Sequence, residues 1–354
     1  MFLTFYGLRE QPFGVTPDPR FLYLSGTNGQ TLASQLYGIQ SNLGFTALIG
    51  QPGLGKTTFL FHIMERFRNT AVTAFLFETQ CNSIGLLKYF LQELGVESAD
   101  NDPVTMHRQI HQVLADAAVS GRRVILIVDE AQNLDASVLE TIRLLSNFET
   151  RRSKLLHIIL AGQPLLAKRL NQPELVQLEQ RIALTGWLNP LPTDEVGRYV
   201  EHRLRAAGLK TASPFTETAI EMIAMYSGGV PRKINRICFN SLSIGYKSGK
   251  HEIDEGIVEE GICELGPQLQ PRQKVANLSP EPSANGTASH ISVLPVAERL
   301  PEPADAFSAS ATDAASQQSL LTRTARKKAI VAVGGEIRVV TVGANDSVSE
   351  SPEL

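Results

Sequence analysis

Short apolar runs alternate with helical stripes from about residue 40 to residue 190 of this chain. The runs Phe45–Ile49, Ala71–Phe77, Val124–Val128, Leu155–Ala161 and Ile182–Trp187 are rich in strand formers, and they predict five strands. Between them, apolar residues recur at helical spacing. Phe59, Leu60, Ile63, Met64 and Phe67 mark one helix over Thr57–Phe67. Ile110, Val113, Leu114 and Ala117 mark another over Val104–Ser120, and Val138, Leu139, Ile142 and Leu145 a third. Further helical segments are read over Ser83–Leu94 and after Pro164. Strands alternating with helices predict a parallel α/β sheet flanked by helices. The Val124–Val128 run is continuous rather than alternating, as suits a central strand buried on both faces.

At Asn189-Pro-Leu-Pro192 the pattern changes. Thr193 is placed to cap a helix running to about Ala207. Helices are expected over Thr216–Tyr226 and Pro231–Lys247, with Gly228-Gly229 between them, and a shorter one over Asp254–Cys263. From about Gly266 to Thr322, Pro, Ser, Ala, Asn and Thr dominate, which reads as a disordered linker. Ala329–Val333 and Ile337–Val342 flank Gly334-Gly335 and carry a hairpin signal. The expected organisation is an α/β domain over 1–190, a small all-helical lid over 191–267, and a low-complexity tail over 268–354 with a hairpin at 329–342.

Composition adds bounds. The chain has 354 residues, 43% of them hydrophobic, which is enough for a sizeable core. The net charge of −3 gives no global push toward nucleic acid or an anionic membrane. The basic cluster Arg323, Arg326, Lys327 and Lys328 reads as a solvated part of the tail. Cys81, Cys238 and Cys263 show no metal-binding spacing and read as thiols. The N-terminus lacks a basic leader, and no apolar stretch approaches the roughly 18–20 residues that span a bilayer. A cytoplasmic location is the expectation.

The candidate chemistry begins at Gly50-Gln51-Pro52-Gly53-Leu54-Gly55-Lys56-Thr57-Thr58, which satisfies the P-loop pattern. A polyphosphate must be wrapped by backbone N–H groups, so side chains cannot crowd the loop. Lys56 can reach the β- and γ-phosphates, and the Thr57 hydroxyl can hold Mg²⁺. A strand before the loop and a helix after it supply the required context. Val124–Val128 then delivers Asp129 and Glu130 to the strand edge where ligands bind in open α/β sheets. Asp129 would hold Mg²⁺ opposite Thr57, and Glu130 would polarise an attacking water. The paired acids point to hydrolysis rather than to kinase chemistry.

Gln163 ends the next strand and can orient that water or touch the γ-phosphate. Arg181, just before the last strand, can serve a neighbouring subunit as an arginine finger; Arg151 and Arg152 are rivals. Arg232 opens a helix of the all-helical lid and can report nucleotide state to it. His62, His107, His111 and His157 show no ligand spacing and read as structural.

Taken together, these motifs resemble the P-loop AAA+ ATPases. The opening Phe5–Ser25 phrase, FYGLREQPFGVTPDPRFLYLS, is similar to that of the general secretion pathway protein A (ExeA-like) family. So are Ile159–Pro164, Leu178–Ile182 and Gly228–Arg236. The resemblance covers about residues 1–265. It implies that Asp129 and Glu130 form the Walker B pair, Gln163 is sensor 1, Arg181 the finger and Arg232 sensor 2. It further implies that Pro12, Phe13 and Tyr23 help form an adenine pocket, that ATP and Mg²⁺ are the cofactors, and that the chain forms a homo-oligomer. Three uses stand open: assembly of a secretion or export complex, a DNA-binding regulator of the transposition type, and a nucleotide-gated scaffold with little turnover. The tail is the expected carrier of a protein client.

Overall fold

The computed structural model describes residues 2–77, 81–97, 101–151 and 153–266, together with the strand backbones 327–333 and 336–342. The linker read from Gly266 to Thr322 lies outside the described residues beyond Gly266, as does Arg152. By contact, residues 1–281 gather into one compact unit and residues 282–354 into a second.

In the first unit a short N-terminal turn, α1 (Phe2–Phe5), precedes α2 (Gly26–Gln40). The alternating series follows: β1 (Phe45–Gly50), α3 (Lys56–Arg66), β2 (Ala71–Leu76), α4 (Ser83–Glu93), α5 (Pro103–Val119), β3 (Arg123–Val128) and α6 (Ala136–Leu145). It ends with β4 (Leu156–Gly162), α7 (Pro164–Leu170), α8 (Val176–Glu179) and β5 (Leu184–Leu188). The five strands form one parallel sheet of order β2-β3-β4-β1-β5. All six residues of β1 are buried, as are Val124–Val128 of β3 and all of β4. β5, at an edge, buries only Gly186 and Leu188.

Alternate residues of each strand point to opposite faces, and each face has its own core. Val124, Leu126, Val128, Ile158 and Leu160 pack with α4, α5, α6 and α7. Ile125, Ile127, Leu48 and Ile159 pack with Leu32 and Ile39 of α2 and with Phe59, Leu60 and Ile63 of α3.

The remaining helices are α9 (Val196–Ala206), α10 (Glu217–Ser227), α11 (Pro231–Lys247) and α12 (Glu255–Glu264). Side chains of Thr216 and Asp254 cap α10 and α12, just as Asn82 and Asp102 cap α4 and α5. The Thr193 cap expected for α9 is not formed. Thr193 lies inside a 3-10 turn over Thr193–Glu195, whose cap position is held by Pro192. Tyr6, Leu8, Phe13 and Phe21 of the N-terminal segment share a core with α9–α12. The segment is tied there by Arg9 N–H to Ala207 O and Tyr6 OH to Lys250 O.

In the second unit β6 (Lys327–Val333) and β7 (Glu336–Val342) pair antiparallel, with Val333 opposite Glu336. Among the described residues no helix is long and apolar enough to cross a membrane.

Candidate nucleotide-binding and hydrolysis site

The P-loop turns between β1 and α3. Gly53 and Gly55 have φ of +83° and +88°, a region that costs an L side chain about 1–2 kcal/mol. A Cβ on Gly53 would also lie 2.8 Å from Arg232 Cβ. Five helices (α2, α4, α5, α10 and α12) have a side-chain cap on their first turn, whereas α3 begins after Gly55 with none. Its first N–H groups therefore keep their donor capacity, and they carry the positive end of the helix dipole.

Lys56 is almost fully buried and donates from Nζ to Gly50 O at 3.1 Å. The Thr57 hydroxyl donates to Asp129 Oδ2 at 2.7 Å. The sheet order explains this meeting of residues from distant parts of the chain. β4 lies between β1 and β3, so the C-terminal ends of all three open onto one edge.

Asp129 is buried, and burial pushes its carboxyl above the ordinary range despite the Thr57 hydroxyl, the Glu130 N–H and the Lys56 charge. Thr57 and Asp129 thus present adjacent hard oxygen donors, a set that fits Mg²⁺ with water and phosphate oxygens completing its shell. A cation there would also offset the cost of burying the carboxylate.

Glu130 occupies the left-handed backbone region with φ +50°, an uncommon conformation for a non-glycine residue that clusters at functional sites. Its side chain is 42% exposed and sits 3.8 Å from Lys56 Nζ. Burial works against its charge. Hydrogen bonds from Gln132 and Gln163, with the Lys56 charge, outweigh burial and hold the carboxyl below its usual range. The Gln163 amide donates to Glu130 Oε2 at 3.0 Å, and the Gln132 amide donates to the same oxygen at 2.6 Å.

Gly53–Thr58, Glu130, Gln163 and Arg232 line one cleft of about 470 Å³. Phe13 and Tyr23 line it from the N-terminal segment, and Tyr199, Arg203 and Asn235 from α9 and α11. Pro12 meets the site through its carbonyl, which accepts from Arg203 Nε. The Arg232 backbone N–H donates to Gly53 O at 3.1 Å, joining α11 to the P-loop. Arg181 and Arg151 are exposed and do not line this cleft. Arg181 sits at the turn between α8 and β5, and its charge lowers the Glu149 carboxyl after the larger effect of Lys154.

Sequence reasoning overlooked four residues here. Gln132 follows the acid pair in a 3-10 turn and carries no period to betray it. Tyr199, Arg203 and Asn235 form a second cluster. Arg203 Nη1 donates to Tyr199 OH at 3.1 Å, Tyr199 OH donates to Asn235 Oδ1 at 2.8 Å, and the Arg203 guanidinium lies 4.8 Å over the Phe21 ring. The available signal was Arg203 itself, a cation on the stripe of Val196, Val200 and Leu204.

A family model described as an AAA domain matches residues 39–170. General secretion pathway protein A of Aeromonas hydrophila is 37% identical over 266 residues, or 75% of this chain and 48% of that protein. The chain therefore spans about half the length of that relative. Among solved structures, the ORC2 protein of Aeropyrum pernix aligns with a TM-score of 0.57 at 17% identity, covering 73% of this chain and 72% of that one. Cdc6p from Pyrobaculum aerophilum aligns with a TM-score of 0.57 at 18% identity, covering 72% and 70%. At those identities the likeness is one of fold. With a parallel sheet of this order, a P-loop and an acid pair on adjoining strand ends, the chain belongs to the P-loop AAA+ family, as a relative of general secretion pathway protein A.

Proposed function

We propose that this chain is a Mg²⁺-dependent ATPase that binds ATP on Gly50–Thr58 and hydrolyses it with Glu130 as general base. The observation that carries the reading is the 2.7 Å hydrogen bond between Thr57 and Asp129, with Lys56 and Glu130 beside it. Lys56 neutralises phosphate charge at the loop. Glu130 stays ionised, is open enough for water to reach, and can take that water's proton. Gln163 shares the Glu130 oxygen and is placed to orient the same water. Thr57 and Asp129 would hold the metal, which supplies charge neutralisation at the β- and γ-phosphates.

Arg181 lies outside its own chain's cleft, which supports delivery to a neighbouring subunit in an oligomer. Arg232 contacts the P-loop from the helical layer, so nucleotide state can be read there as movement of α11. Relatedness to general secretion pathway protein A supports a client within a secretion or export assembly.

Glu130→Gln keeps the side chain's size while removing the base. A fluorescent ATP analogue should bind within a few-fold of the parent protein, while phosphate release falls by about 10²–10⁴. Undiminished release would sink the assignment.

A further inference from the structure

The side chain of Gln132 is buried and makes two short hydrogen bonds besides a long one, at 3.5 Å, to Asn133 Oδ1. Its amide nitrogen donates to Glu130 Oε2 at 2.6 Å, and its amide oxygen accepts from the Gln163 backbone N–H at 2.9 Å. One planar amide therefore spans from the carboxylate after β3 to the last peptide of β4. Its own backbone is held as well, because the Gln132 carbonyl accepts from Arg169 of α7. The neighbouring strand leaves room for it: a Cβ on Gly162 would lie 2.7 Å from Gln132 Oε1. Gly162 is not in a left-handed conformation; what bars a side chain there is the occupied space.

Glu130 has a partly exposed side chain on a residue in the left-handed region, and two of its three polar neighbours are amides. A general base must hold its oxygen within hydrogen-bond reach of the reacting water, and small misplacements cost large factors in rate. We infer that Gln132 is a positioning residue that ties the Glu130 carboxylate to the end of β4, so that Glu130 and Gln163 keep one mutual geometry through turnover. This rests on Glu130 being the base. Lys56 and Thr57 do not bond to Gln132 in this arrangement, so nucleotide affinity should be insensitive to it.

The test uses the full chain and compares Gln132→Met, which keeps length and burial, with Gln132→Glu, which can still accept from Gln163 but cannot donate. Steady-state phosphate release, affinity for a fluorescent ATP analogue and Tm are measured for each. Both variants should turn over about 10–100-fold more slowly, the scale seen when outer partners of a functional group are lost. Affinity should stay within about threefold, the split expected when only transition-state geometry is lost. Tm should fall modestly, in Gln132→Met because the Gln163 N–H loses its acceptor and in Gln132→Glu because a second carboxylate faces Glu130. Gly162→Ala, whose methyl would press on Gln132 Oε1 and also on the buried Leu166 side chain, should slow turnover with affinity kept, while lowering Tm through the Leu166 contact. Combined with Gln132→Met it should cost less than the product of the two single losses.

Turnover of both Gln132 variants within twofold of the parent, with Glu130→Gln inactive, overturns the inference while leaving the ATPase reading intact. Joint loss of affinity, turnover and Tm in both variants overturns it too, since that marks a merely structural residue. Full turnover in Glu130→Gln removes the reading beneath both.

Discussion

His157 sits in β4 under the sheet's second face, and its titration should set how this protein responds to acid. The ring is almost fully buried. Thr46 uses its one hydroxyl proton on Gln35 Oε1 at 2.8 Å, so the Thr46 oxygen is the acceptor for His157 Nε2 at 3.4 Å. Nε2 then carries the proton, and Nδ1, buried without a hydrogen-bond partner, would have nothing to receive a second one. Burial, followed by the charge of Arg123, lowers the pKa from 6.5 to about 4.

The folded chain therefore keeps the ring neutral where the unfolded chain has already bound a proton. Stability from this residue is complete above pH 6.5 and is lost as pH falls toward 4. A gap of about 2.5 pH units corresponds to about 3 kcal/mol when fully expressed, and to about 2 kcal/mol between pH 8 and pH 5. Urea unfolding followed by the fluorescence of Trp187, the chain's one tryptophan, would measure this at the two pH values. His157→Gln retains a donor for Thr46 and removes the titration. The parent should lose about 2 kcal/mol more than the variant on going from pH 8 to pH 5. Carboxylates elsewhere titrate in both proteins and cancel. Equal losses would refute the reasoning.

Two further outcomes follow from the cleft. Gly53→Ala forces a methyl into a left-handed position against Arg232. It should destabilise the chain by about 1–2 kcal/mol and weaken binding of a fluorescent ATP analogue; unaltered affinity would speak against the loop geometry. Arg181→Ala and Lys56→Ala proteins, each inactive alone, should regain phosphate release when mixed if the arginine serves a neighbour's site, and absence of recovery at every ratio would count against that.

Much of this arrangement was legible because it is carried by local pattern. β1 and β3 are buried on both faces apart from the exposed Arg123, so nearly every position is apolar and the run stands out. The P-loop has fixed residue types because backbone N–H groups have to approach phosphate. The helix α2 escaped notice for the opposite reason. Besides Leu32 and Ile39 it buries Asn28 and Gln35, whose amides bond to Asn189 and to Ala47, so its inner face reads as mixed and shows no clean apolar stripe. Gln132 and Arg203 were missed because their roles depend on partners from other strands and helices. Only the sheet order brings Gln132 beside Gln163, and only the return of the N-terminal segment brings Pro12 and Phe21 to Arg203.

That sheet order also shapes how the chain can be made. Of the five strands of this sheet β1 is made first, yet its two partners are β4 and β5, with Phe45 opposite Ile158 and Thr46 opposite Leu184. Until synthesis passes Gly162 neither edge of this buried strand can pair, and until it passes Leu188 the edge facing β5 stays open. Non-local parallel pairing of this kind is slow, and exposed strand edges invite aggregation. A nascent chain stalled before β5 therefore keeps one edge of β1 open, so the growing polypeptide passes through an aggregation-prone interval before that strand is enclosed.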